Sequence, residues 1–314
     1  MNETALPPGT TPVVESAWRD QAIWSEAANR LKAELSTWRC RAAVAGVLGA
    51  FLETLAGALA GLGGVWWWPR ALLALAGAVI LAVVPYVART KTSKDQVRAW
   101  VRARSVSEAL KETIYRYLVG APPFAPEPAP AALVARCQAV KEKVQDLGGL
   151  AATIEPPKKE RPLTLTLEGY VGTRITDQIE NYYRPKARQN ALTAQKLHNW
   201  EFRLGLLAVA LGALAGAATA TGLPWLSGLA PWVAVVTTAG AAVTAHLAAS
   251  RYDHGAMTYF ATADRLTGLR DGWLATPDRL APAHVAKFVD DCERAISTEN
   301  EAWLAEWTRE KAEA

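Results

Sequence analysis

Glu53 is the residue most able to do chemistry. It stands, with Thr54 beside it, near the middle of an apolar run where a carboxylate is costly unless it is protonated, partnered or facing water. One such acid per subunit around an axis would form a pore-lining or proton-sensitive ring, whereas a single acid bonding a neighbouring helix would fix packing. Glu53 and Thr54 are therefore the expected ion pathway, with cation preference or pH response set by Glu53. His246, near the end of the last apolar run, is a candidate pH sensor. Arg89, Lys91, Lys94 and Arg98 form a basic run suited to anionic lipid headgroups. The GxxxG pairs Gly57/Gly61 and Gly212/Gly216 suit close helix packing.

Other chemistry finds no footing. Cys40, Cys137 and Cys292 are odd in number, far apart and without CxxC spacing or a neighbouring His, so neither a disulfide framework nor a metal site is expected. The chain has no GxGxxG, GxxxxGK[ST], GxSxG or HExxH, so no enzyme activity and no cofactor are expected. Nucleic-acid binding would need aromatics interleaved with basic residues on an accessible face, and here they follow apolar seams.

These residues are positioned by two apolar stretches. The 314-residue chain is 51% hydrophobic and 20% charged, with formal charge +4, which excludes disordered and collagenous classes. Residues 204–250 are 47 residues with no Asp, Glu, Lys or Arg, and 42–88 are another 47 interrupted only by Glu53 and Arg70. A span needs about 20 apolar residues, so each stretch holds two spans and a turn. The spans are expected at 42–64, 70–88, 204–222 and 229–250. At an offset of 162, Trp38 aligns with Trp200, Arg41 with Arg203 and Arg89 with Arg251, which indicates an internal repeat. Trp66-Trp67-Trp68-Pro69 and Gly222-Leu223-Pro224-Trp225 mark the turns.

Basic residues concentrate away from the turns, so the positive-inside rule places both termini and the middle of the chain in the cytoplasm. Residues 1–12 lack the basic and apolar regions of a secretory leader. Helical seams flank the spans: Trp24, Ala28, Leu31, Leu35 and Trp38 lead into the first, and Tyr252, Ala256, Tyr259, Ala263 and Leu266 continue from the fourth. Leu133, Cys137, Val140, Val144 and Leu147 form another seam ended by Gly148-Gly149, and Val285, Val289, Cys292, Ile296, Trp303 and Trp307 the last. The expected fold is an all-α membrane protein: four transmembrane helices as two parallel two-helix repeats with long cytoplasmic helices. Module one covers 15–150, a linker 151–167, and module two 168–310, with a break at Arg184-Pro185 before the second lead-in helix.

The segments HNWEFRLGLLAVALGALAG (198–216) and ASRYDHGAMTYFATADRLTGLRDGW (249–273), with FVDDCERAISTENEAWLAEW (288–307), resemble the SLATT superfamily of bacterial two-transmembrane effector domains. The first module is similar, through LSTWRCRAAVAGVLGAFLETLAG (35–57) and VARTKTSKDQVRAWVRARSVSEALKETIYRYL (87–118), as in DUF4231. The resemblance implies a homo-oligomeric, pore-forming effector of the bacterial inner membrane, associated with a soluble nucleotide-sensing partner, and carries over no catalytic residues. None of the 314 residues reads as a fused sensor domain, which leaves a standalone channel equally compatible. The expectation is an ion channel gated through cytoplasmic helices. Its rivals are a non-conducting scaffold for a soluble sensor and a proton-coupled transporter using Glu53.

Overall fold

A computed structural model describes residues 10–62, 66–125, 129–156, 161–221 and 228–309. Helices dominate, and no strand occurs among the described residues. In chain order they are α1 (Thr10–Ala58), α2 (Trp67–Thr90), α3 (Lys94–Leu118), α4 (Pro130–Glu142), α5 (Gly148–Ala151), α6 (Leu167–Tyr170), α7 (Arg184–Thr221), α8 (Ala230–Ser250), α9 (Tyr252–Ala275) and α10 (Pro282–Arg309). Between α6 and α7 the backbone widens into two π segments, Val171–Thr176 and Gln178–Tyr183. Helices α1, α2, α7 and α8 each contain a stretch long and apolar enough to cross a membrane. The all-α membrane fold follows, with four spans.

Lead-in helix and span are continuous in both repeats. Helix α1 runs for 49 residues because its only proline, Pro12, lies in the first turn, where the missing N–H breaks no helical bond. Pro185 falls where the second π segment runs straight into α7, so the expected break at Arg184-Pro185 is absent. The spans do not continue into the following helices. After α2 the amides of Lys91 and Thr92 both turn back to Val87 O, at 2.9 and 3.2 Å, before α3 starts. After α8, Arg251 adopts the left-handed conformation (φ 50°, ψ 43°) and its N–H closes on Leu247 O at 2.9 Å. Helix α4 stops at Glu142, so Val144 falls in a turn and Leu147 in a short 3₁₀ segment, and Gly148-Gly149 opens α5 instead of ending a seam.

The chain forms two compact units, and each repeat contributes to both. The membrane unit is Ala33–Lys94 with Gln189–Gly255; the extramembrane unit comprises the chain up to Lys32, Asp95–Arg188 and the chain from Ala256. The extramembrane core is aromatic. Trp18 meets Tyr115 edge-on at 5.4 Å, Tyr115 meets Tyr170 at 6.1 Å, and Phe288 stacks on Trp273 at 4.8 Å. Leu110, Ile114, Ile175, Ile179, Leu266 and Val289 are fully buried around them. The seam residues Trp24, Ala28, Leu31, Leu35, Leu133, Val289, Cys292 and Ile296 are buried as the periodicity requires, while the side chains of Trp303 and Trp307 lie outside the described residues. The turn Gly222–Trp225 also lies outside them.

Candidate functional site

In the membrane unit, Glu53 and Thr54 are sequence neighbours that serve different contacts. Glu53 is half-buried against α2: a Cβ on Gly77 would lie 3.0 Å from its Cγ and Oε1. Thr54 is buried against α8 instead, its hydroxyl 3.5 Å from Pro231 O at the start of that helix. Phe51 packs edge-on to Trp232 at 5.5 Å, and Arg39 donates to Ala249 O at 3.0 Å, placing a cation over the free carbonyls at the end of α8. Helix α1 thus touches α2 through Gly49, Glu53 and Gly77, and α8 through Arg39, Phe51 and Thr54. The tight approach is made at Gly49, where a Cβ would come within 2.6 Å of Leu81, and at Gly77. A Cβ at Gly57, Gly212 or Gly216 would meet nothing within 4 Å, and the surroundings of Gly61 are outside the described residues.

His246 sits within α8, its Nε2 3.4 Å from the Tyr252 hydroxyl. Of the basic run, Arg89 and Lys94 are exposed, Lys91 stands 5.7 Å over the Trp38 ring beside Arg41 at 4.8 Å, and Arg98 donates to Asp95 at 3.1 Å. Cations stacked on an indole at the end of a span match the chemistry of a membrane–water boundary.

A polar cluster that the sequence reading missed lies at the same end of the second hairpin. Glu201 accepts from Thr244 at 2.5 Å and contacts His198 Nδ1 at 3.4 Å, while His198 Nε2 reaches Asp253 at 3.1 Å. Thr244 belongs to an exposed row on α8 with Ala234, Thr237, Ala241 and Ala248, spaced three and four apart. The outer faces of the other spans are bulky: Leu72, Leu75 and Val79 on α2, Leu206 and Val209 on α7, Val44 and Leu48 on α1. No large exposed hydrophobic residue lies on α8 among the described residues.

The extramembrane unit hides an ionic centre. Arg174, in the first π segment, donates from Nε to Glu293 Oε1 at 2.9 Å and from Nη2 to Oε2 at 2.6 Å, and Tyr170 donates to the same carboxylate at 3.0 Å. Both ion-pair side chains are at most 1% exposed. The π windings turn Tyr170, Arg174, Ile175, Ile179 and Tyr183 inward at four- and five-residue steps. Near this centre Lys111 is pushed down to about 8, chiefly by burial. Burial also drives the Cys137 thiol up to about 11 and raises Cys292, which leaves both as inert core thiols.

A two-span helical hairpin carried on long extramembrane helices and present twice defines a tandem two-span membrane protein. Residues 170–303 match the family described as SMODS and SLOG-associating 2TM effector domain 1, and residues 21–132 match the family described as Protein of unknown function (DUF4231). The chain carries SLATT-like domains in tandem. No curated protein and no solved structure matches it.

Proposed function

We propose that the chain self-assembles in a bacterial inner membrane into an ion-conducting pore whose wall is the outer face of α8, gated by the extramembrane helices. The observation that carries this reading is the contrast between α8 and the other spans. Leu, Val and Phe faces rest against acyl chains at no cost, whereas a row of Ala and Thr offers lipid little and suits another helix or water. In a symmetric assembly that row leads to Glu201 and Asp253, and a ring of carboxylates at the mouth of a pore favours cations. Glu53, set on the contact between α1 and α2, then acts on packing of the hairpin more than on the ion path. The basic residues near Trp38 and Trp200 support cytoplasmic termini by the positive-inside rule. The reading assigns no catalytic step to the chain, and takes as trigger a soluble partner of the SMODS or SLOG class named in the matched family's description.

Planar-bilayer recording of the purified protein tests it. Discrete currents, cation-selective in the wild type and less so in Glu201→Gln, are expected. Currents whose selectivity responds to Glu53→Gln and not to Glu201→Gln would move the path to α1. Silence of the wild type together with stable capture of a soluble partner would replace the pore by a scaffold, and saturable proton-coupled flux would replace it by a transporter.

A further inference from the structure

A cavity of about 390 Å³ opens in the extramembrane unit between α3, the turn after α4, the first π segment and α10. Its apolar wall is Val106, Ala109, Val140, Val144 and Ile296, and its polar lining includes Arg174, Lys143, Ser105 and Ser297. The volume lies in the range of small-molecule sites, and an apolar wall with a few convergent polar groups is their usual make-up. Carboxylates also line it, but they are committed. Glu293 is held by Arg174, Glu112 accepts from Arg116 at 2.8 Å, and Glu108 faces Lys111, Arg174, Arg104 and Arg161. Arg102 is taken by Asp146 at 2.6 Å.

Two cationic donors remain. Arg174 Nη1 is buried and has no hydrogen-bond partner, although the guanidinium carbon lies 5.0 Å from the Tyr115 ring centre. Lys143 makes no ion pair among the described residues. A buried guanidinium N–H left unpaired is costly and calls for an acceptor.

We infer that this cavity binds a small organic anion, its phosphate or carboxylate oxygens on Arg174 Nη1 and Lys143 and its apolar body against Val106, Ala109 and Val140. Such a ligand ties α3 to the π segment and α10. The inference does not depend on the pore reading.

Calorimetric titration of the full-length protein in neutral detergent tests it, with phenyl phosphate and benzoate as the two anion types and inorganic phosphate and phenol as their fragments. At least one aromatic anion is expected to bind tenfold or more tightly than its fragments, and which one does so separates a phosphate from a carboxylate ligand. Lys143→Glu, on the rim, is expected to weaken that binding at least tenfold while leaving the melting temperature unchanged. Ala109→Trp, which fills the cavity, is expected to abolish it. Failure of both anions to bind more tightly than the fragments, or binding untouched by Lys143→Glu, overturns the inference.

Discussion

Arg174 and Glu293 form a two-pronged ion pair with Tyr170 on the same carboxylate, all out of solvent. Removing one side strands the other charge in the core, which costs about 3–5 kcal/mol. Arg174→Met is therefore expected to lower the unfolding free energy of the extramembrane unit by about that much, and Arg174→Met/Glu293→Leu to recover most of it, as measured by thermal unfolding. Lys111 gives a pH signature. Its proton is lost near 8 in the folded chain but near 10.4 in an unfolded one. Between those values the unfolded chain binds more protons, so this residue makes stability rise with pH from 8 towards 10. Lys111→Met is expected to remove that rise, and melting curves of the two proteins at pH 7.5 and 10 check it. At this scale the sequence is uneven. Glu53 stands out because it is the only acid in its apolar run, yet its partner Gly77 adds nothing to any pattern. Arg174 reads as a mere charge beside Gly169 and Gly172. The available signal was its place in the row Tyr170, Ile175, Ile179 and Tyr183, whose steps fit a π winding better than an α one.

Helix α1 approaches α2 across Gly49 and Gly77, where the space for a side chain is already taken by Leu81 and by Glu53. Gly77→Val forces the Glu53 side chain out of its place, and overpacking of this sort costs about 1–3 kcal/mol. The expected result is a lower melting temperature for Gly77→Val and a smaller loss for Gly77→Val combined with Glu53→Ala. Spans and seams were legible because hydrophobic period and charge-free length are direct consequences of burial in lipid or against another helix. Their ends were less so. The interruptions at Lys91–Ser93 and at Arg251 arise from backbone turns that no glycine or proline announces. The GxxxG spacing of Gly57, Gly212 and Gly216 does not produce the close approach within the chain, because spacing places glycines on one face without saying what that face meets.

Across the whole molecule, the sequence repeat and the compact units divide the chain differently. Each repeat gives its hairpin to the membrane unit and its flanking helices to the extramembrane unit, and α1 runs through both. Composition and the offset of 162 made the repeat visible, but the partition depends on which flanking helices pair in space, which a one-dimensional pattern does not encode. The same holds for the outer faces of the spans. Hydropathy marks α8 as apolar without distinguishing its Ala and Thr row from the Leu and Val rows of α2 and α7. The central claim is that this row faces water in an assembled pore. The most direct test is cysteine accessibility under voltage, with Cys40 replaced by serine and the buried Cys137 and Cys292 retained. In the bilayer, a cationic methanethiosulfonate is expected to cut the current of Thr237→Cys by more than half, reversibly with reductant, and to leave Val79→Cys on α2 unaffected. Block at Val79→Cys or at Glu53→Cys, with Thr237→Cys insensitive, would contradict it.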